Sequence, residues 1–358
     1  MLVRGTSIMR SVHKTVGAVL GLSLLLGATA DAKPLNSISD FEVYERLKQL
    51  QHMPWAGKAV ERSNGWFSGC RKSTITLTVD DPLTMESRDF EFVMIRPDSK
   101  RPVPVAMVVP TMEGVTAVER TITANLCAMN IASIVTDVNQ NTVPEVIPFW
   151  GFEDLNNRRA ILAVRTLIDY IEATPYFDRR KIVMIGSSLG GITTSFLAGV
   201  ETERINSFVI VVGGGNLPYT IAYTDNDRLS ELRDLRMAAE GWTDLEQYED
   251  KLRETMKFDP LYFTRFAHRE KLFMVLSKAD TTVPTLVQED LFRAFGSPKH
   301  TYFNVGHVPT VIGVAFFYFD YVADFLSQRL NVPAFRKRGP QPVPEIGRLP
   351  VPLPQFQN

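Results

Sequence analysis

The sequence predicts an α/β fold: a mostly parallel sheet with an antiparallel start, helices on both faces and a helical cap inserted late in the chain. Three observations predict it. Residues 73–94 alternate apolar and polar side chains with period two on either side of Asp80-Asp81-Pro82, as an antiparallel pair does. From residue 103 onward, strand-like runs at 103–109, 131–136, 181–187, 207–212, 271–277 and 300–305 alternate with helix-patterned stretches, the rhythm of right-handed crossovers and parallel strands. The rhythm breaks once, after Gly213-Gly214-Gly215, where about fifty charged, helix-patterned residues precede the next strand. An excursion placed after a strand end reads as a cap, at about 214–268, over the sheet's carboxyl edge, where open parallel sheets bind ligands.

Taken in order, a helix is expected from Asp40 to Gln51. Ser39 and Glu42 have capping-box spacing, and Ile38 and Val43 are placed to staple across the cap. Residues 53–72 read as irregular, with Trp55 and Trp66 as packing residues. In the antiparallel pair Ile75, Leu77 and Val79 face one way, as do Phe90, Phe92 and Met94. The unbroken apolar run at 103–109 fits a strand covered on both faces. Helices follow at about 116–129 and 154–173, the latter with Ile161, Val164, Ile168 and Ile171 on one stripe. A helix at 285–295 and a last one at 310–330 complete the domain. That last helix is rich in aromatics (Phe316, Phe317, Tyr318, Phe319, Tyr321, Phe325), interrupted by Asp320 and Asp324, and core packing is the expected role of the rings.

The chain's 358 residues, 45% hydrophobic and 22% charged with a formal net charge of −1, have ordinary globular composition. Near-neutral charge without a basic stripe argues against a nucleic-acid partner and for a small-molecule or peptide substrate. Residues 1–30 read as a signal peptide. Arg4, Arg10 and Lys14 precede an apolar run at 16–26, and Ala28-Thr29-Ala30 offers a cleavage site after Ala30, with Ala32 second. The run is too short for a stable membrane span, so a periplasmic or secreted protein is expected. In an oxidising compartment Cys70 and Cys127 suit a disulfide, whereas in the cytosol they would read as two buried thiols, and the sequence leaves the bridge open. The organisation expected is a signal peptide (1–30), an N-terminal helix and irregular segment (31–72), a main domain (73–332) and an extended tail (333–358) carrying seven prolines.

Chemistry concentrates at one turn. Lys181-Ile182-Val183-Met184-Ile185-Gly186-Ser187-Ser188-Leu189-Gly190-Gly191 reads as a strand entering a Gly-x-Ser-x-Gly turn that opens a helix. Glycine at 186 and 190 relieves crowding beside Ser188, whose hydroxyl then projects from the sheet end with helix amides behind it. A serine nucleophile needs a base, and a histidine base needs a carboxylate to hold its tautomer. Asp280 lies just past the strand 271–277 and His307 just past the strand 300–305. Rival acids are Asp137, Asp225 and Asp227.

The order Ser, Asp, His, each at the end of a successive strand, resembles the α/β-hydrolase superfamily over roughly residues 73–330. The block from Ala160 through Phe177-Asp178 to Gly191 is similar to dienelactone-hydrolase-like and acyl-peptidase-like members. The resemblance implies Ser188 as nucleophile, Asp280 as acid, His307 as base and the Leu189 amide as half of an oxyanion hole. For the other half, many members carry His-Gly where this chain reads Pro110-Thr111-Met112-Glu113-Gly114. Thr111 or Met112 has the required N–H and Pro110 has none. Glu113 is expected to point outward to a cationic substrate group or to pair with an arginine. The activity implied is cleavage of a carboxylic ester or related acyl bond, with no metal or organic cofactor. Alternatives are a peptidase or acyltransferase on the same residues, or a non-catalytic binding protein on the same fold.

Overall fold

A computed structural model describes residues 32–51, 54–55, 57–80, 87–136 and 150–335. The expected signal peptide, the rival acid Asp137 and tail residues 336–358 lie outside the described residues.

Helix α1 (Asp40–Gln49) opens as its sequence demands: Ser39 Oγ accepts from the Glu42 amide at 3.2 Å, and Glu42 turns forward to pair with Arg46 at 2.6 Å. The next segment departs from expectation. In place of an irregular run, Ala59–Phe67 form strand β1, antiparallel to β2 (Cys70–Asp80). β1 is a solvated edge strand with almost every residue exposed, so it carries no apolar alternation to read, and the sheet starts at residue 59 rather than 73. Its signal was the turn: Ser68 and Gly69 sit at φ 49° and 83° between paired Phe67 and Cys70, a two-residue hairpin loop that demands two left-handed residues. Trp66, read as a packing residue, is exposed there.

β3 (Ser87–Arg96) pairs antiparallel with β2, setting Ile75 against Phe92 and Leu77 against Phe90. Strands β4 (Val103–Val109), β5 (Ala132–Val135), β6 (Phe177–Ser187), β7 (Ser207–Val211), β8 (Leu272–Ser277) and β9 (Lys299–Phe303) then give one nine-stranded sheet, ordered β1-β2-β3-β5-β4-β6-β7-β8-β9. Everything from β5 to β9 is parallel. Buried strand residues divide by parity. Val105, Met107, Ile182, Met184, Phe208 and Ile210 join the core under α3 (Phe152–Ala173) and α4 (Leu189–Val200). Ala106, Val108, Val183, Ile185, Val209 and Val211 join the core under α2 (Ala117–Ala128), α9 (His307–Phe316) and α10 (Phe319–Leu330). Period-two alternation thus feeds two helical layers, one on each face.

Between β7 and β8 lie α5 (Leu217–Tyr223), α6 (Asp227–Glu240), α7 (Leu245–Thr255) and three short 3-10 turns, with α8 (Thr285–Ala294) after β8. The expected single helix at 310–330 is two helices, α9 and α10, bent by 59°. Phe317 and Tyr318 amides both turn back to the Gly313 carbonyl, closing α9 before α10 starts. The aromatics divide accordingly: Phe319 and Phe325 are core, whereas Phe316, Phe317, Tyr318 and Tyr321 are 45–63% exposed. Cys70 and Cys127 are joined as a disulfide, tying β2 to α2 across 57 residues.

Candidate active site

β6 delivers the chain to Ser188 and α4 carries it away. Ser188 takes φ 57° and ψ −119°, a conformation that costs a non-glycine residue energy and is held by its surroundings. Its amide donates to the Val211 carbonyl at 2.9 Å, and Ile192 donates to its carbonyl at 2.9 Å, pinning both sides of the turn. The flanking glycines are steric necessities. A Cβ on Gly186 would stand 2.0 Å from the Gly190 carbonyl oxygen, and one on Gly190 would stand 2.1 Å from that of Val109. The triglycine after β7 serves the same end: Gly213 lies against Gly191, Gly214 against Val283 and Gly215 against Leu261. Val212, β-branched yet at φ 44°, adds a second strained residue beside the turn.

The three residues singled out in the sequence meet. His307, the first residue of α9, places Nε2 2.8 Å from Ser188 Oγ and Nδ1 2.7 Å from Asp280 Oδ2. Ser188 is 8% exposed, and the Asp280 side chain is fully buried. Sequence separations of 119 and 27 residues are closed because β6, β8 and β9 end at one edge of the sheet. The other two described rivals do not share this position. Asp225 is exposed and accepts from the Thr281 and Thr282 hydroxyls at 2.5 and 2.6 Å, and Asp227 is exposed in the first turn of α6. Burial works against the Asp225 charge, but those hydroxyls outweigh it and hold the carboxyl below its ordinary range.

Sequence reasoning missed what supports the Asp280 carboxylate. Asp280 Oδ1 accepts from the amides of Thr282 and Val283 at 3.0 and 2.9 Å, while Oδ2 is shared by His307 and by Gln288 Nε2 at 2.8 Å. Gln288, wholly buried on α8, also donates to the Val283 carbonyl at 2.7 Å and accepts from the Ser277 amide at 3.1 Å. One side chain therefore ties the carboxylate, its loop and the end of β8 together. Only its helical register, on the buried face with Val287 and Leu291, hints at this in the sequence.

Leu189 is the first residue of α4, so its amide has no partner one turn back and stands at the helix's positive end. Thr111 and Met112 follow β4 after Pro110, where the backbone of Val109 and Pro110 closes on Gly190. There the Glu113 amide is taken by Thr111 Oγ1 at 3.3 Å, and the Gly114 amide by the Thr111 carbonyl at 3.0 Å. The Glu113 carboxylate approaches Arg228 of α6 at 3.7 Å with both side chains well exposed. The cap reaches the Asp280 loop as well: Thr224 donates to the Thr282 carbonyl at 2.7 Å, and the Asp225 amide donates to that of Thr281 at 3.3 Å.

No protein-family model matches the sequence, and no curated protein sequence does. Among solved structures, the chain is similar to an acetyl xylan esterase from Paenibacillus sp. R4, at TM-score 0.63 and 14% identity over 83% of this chain and 96% of that one. It is similar to acetyl xylan esterase 1 from Thermoanaerobacterium sp. JW/SL YS485, at TM-score 0.58 and 14% identity over 81% and 92%. A third is Est1E from Butyrivibrio proteoclasticus, at TM-score 0.51 and 12% identity over 72% and 99%. With the strand order and the strand-turn-helix at Ser188, these likenesses establish that the chain has the α/β-hydrolase fold.

Proposed function

We propose that the protein is an exported serine hydrolase that cleaves a carboxylic ester or related acyl bond through an acyl-enzyme. The observation that carries this reading is the continuous hydrogen-bonded line from Ser188 Oγ through His307 to Asp280 at the carboxyl edge of the sheet. Esters come forward as substrates because two of the solved structures with this fold are acetyl xylan esterases.

In this reading His307 Nε2 takes the proton as Ser188 Oγ bonds to the acyl carbon, and the carbonyl oxygen becomes an oxyanion. The amides of Leu189 and of Thr111 or Met112 stabilise that charge. The alkoxide leaves with the proton from His307, and water, deprotonated by the same ring, then releases the acid and restores Ser188. Asp280 holds the ring with Nε2 toward the serine and stabilises the imidazolium while it lasts. The Glu113 carboxylate approaches Arg228, whose positive charge offsets its own.

A fluorophosphonate probe tests the class. The wild-type protein should be labelled at Ser188 and lose ester hydrolysis, Ser188→Ala should be neither labelled nor active, and Ser187→Ala should keep both. Labelling that survives Ser188→Ala removes the proposal, and an unlabelled wild type leaves a binding protein on a hydrolase fold. Acyl esters graded by chain length, assayed beside peptide amides and acyl acceptors, separate esterase from peptidase and acyltransferase. Export rests on the charged start, apolar run and Ala28-Thr29-Ala30. The secreted form should begin at Asp31 or Lys33, and an intact Met1 on cytoplasmic protein refutes it.

A further inference from the structure

Six of the large apolar side chains left in solvent among the described residues lie together on one face. Val308, Ile312 and Phe316 recur every fourth residue along α9 as one stripe, and Phe317, Tyr318 and Tyr321 continue it around the bend into α10. Phe316 and Phe317 have ring centroids 6.4 Å apart, as do Tyr318 and Tyr321. Val308 follows His307 directly, so one end of this face adjoins the candidate active site. A contiguous aromatic and aliphatic face of this kind is a docking surface.

The chain itself is directed at it. Past Leu330, Asn331 reverses the backbone at φ 50°, Ser327 Oγ donates to the Pro333 carbonyl at 3.3 Å, and the Phe335 ring packs edge-on against Phe319 at 5.5 Å. Ser327 lies near the end of α10 and Phe319 at its start, so residues 331–335 run back along the helix toward the bend where Phe317 and Tyr318 are exposed. Beyond them the sequence reads Leu349-Pro350-Val351-Pro352-Leu353-Pro354-Gln355-Phe356, bulky apolar residues alternating with prolines. Such a stretch favours the polyproline II conformation, whose prolines and apolar side chains dock on exposed aromatic rings.

We propose that the C-terminal segment 340–356 of this same chain occupies the aromatic face of α9 and the α9–α10 bend. Reach is sufficient: Phe335 already packs on Phe319 beside the bend, and at about 3.1 Å per residue residues 336–339 span up to roughly 12 Å more. Tethering also decides between occupants. A segment held this close has an effective concentration on the order of 1 mM, so a millimolar intrinsic affinity keeps the face covered about half the time. A second copy at micromolar concentration needs an affinity about a thousandfold tighter to do the same.

The test uses the full chain with benzoylphenylalanine incorporated at position 317, irradiated at low micromolar concentration and mapped by mass spectrometry. The expected result is crosslinks within one chain, into residues 340–356. Those crosslinks should fall at least about fivefold in a full-length variant carrying Leu349→Ser, Val351→Ser, Leu353→Ser and Phe356→Ser, the site lying outside the folded core in both proteins. Crosslinks joining two chains assign the face to a second copy and overturn the proposal. Capture of phosphatidylcholine from added vesicles in preference to the segment, absence of any crosslink into 340–356, or crosslinks that persist undiminished in the serine variant overturn it equally.

Discussion

Gly186 and Gly190 are the two positions at which one methyl group decides the site. With a carbonyl oxygen 2.0 Å from its would-be Cβ, Gly186 has no room for alanine unless the β6–α4 turn opens. Gly186→Ala should therefore cost roughly 3 kcal/mol or more and abolish serine labelling in whatever folds, both measurable by denaturant titration and probe. Asp280→Asn should leave the fold intact and reduce turnover by about 10⁴, since an amide supports the wrong imidazole tautomer. Asp227→Asn, at an exposed residue of α6, should be near neutral in the same assay. Ser188→Ala, His307→Ala and the double variant should all lose nearly the same activity, because the two side chains act as one unit. Additive losses would mean that the 2.8 Å contact is not used.

Individual elements are secured by buried polar groups, and two of these make separable predictions. Arg236 on α6, 2% exposed, pairs with Glu153 at the start of α3 at 2.7 Å and lies over the Trp150 ring at 4.7 Å, fastening the cap to the main layer. Arg236→Met strands a buried carboxylate and should cost about 3–5 kcal/mol, while the Glu153→Met/Arg236→Met double variant should recover most of it. Asp259 receives the amides of Asn216, Leu217 and Leu261 at 3.1, 2.6 and 2.9 Å, organising the start of α5 and the turn after Asp259. Burial outweighs these amides and pushes its carboxyl up to about 6 from 3.8. A folded-state value above the unfolded one favours the folded protein fully below pH 3.8, and that contribution is lost as pH rises through about 6. The unfolding free energy of wild type relative to Asp259→Asn should thus fall by up to ~3 kcal/mol between pH 4 and pH 7, read from paired denaturation curves.

At the scale of the whole molecule, one covalent link stands out. The Cys70–Cys127 disulfide joins the antiparallel start of the sheet to the helix that follows β4. Closing a loop of 57 residues restricts the unfolded chain by about 4 kcal/mol in the chain-entropy picture. Cys70→Ser/Cys127→Ser should lower the unfolding midpoint by a corresponding amount while leaving the Ser188–His307–Asp280 geometry, on the other strands, in place. Thiol titration of the denatured, unreduced protein should find no free cysteine. The parallel half of the sheet needs no such link, because both its faces are covered by helices.

What the sequence by itself determined is what short-range physics encodes. Period two placed β2 and β3, unbroken apolar runs placed the parallel strands, and the two glycines flanking Ser188 announced a turn that tolerates no side chains. Because parallel strands end at a common edge, the positions of Asp280 and His307 just past their strands also pointed to one place, and there the three side chains lie within hydrogen-bonding distance. β1 escaped because a solvated edge strand needs no apolar pattern, and the bend between α9 and α10 escaped because Gly313 ends a helix through contacts with Tyr318 that composition does not reveal. Only the tertiary structure could decide that Cys70 meets Cys127 and that Glu113 faces Arg228. It alone shows Gln288 reaching Asp280, Ser277 and Val283 together, since a hydrogen bond across the packed α8–β8 interface depends on how two elements dock and leaves no periodicity in the chain.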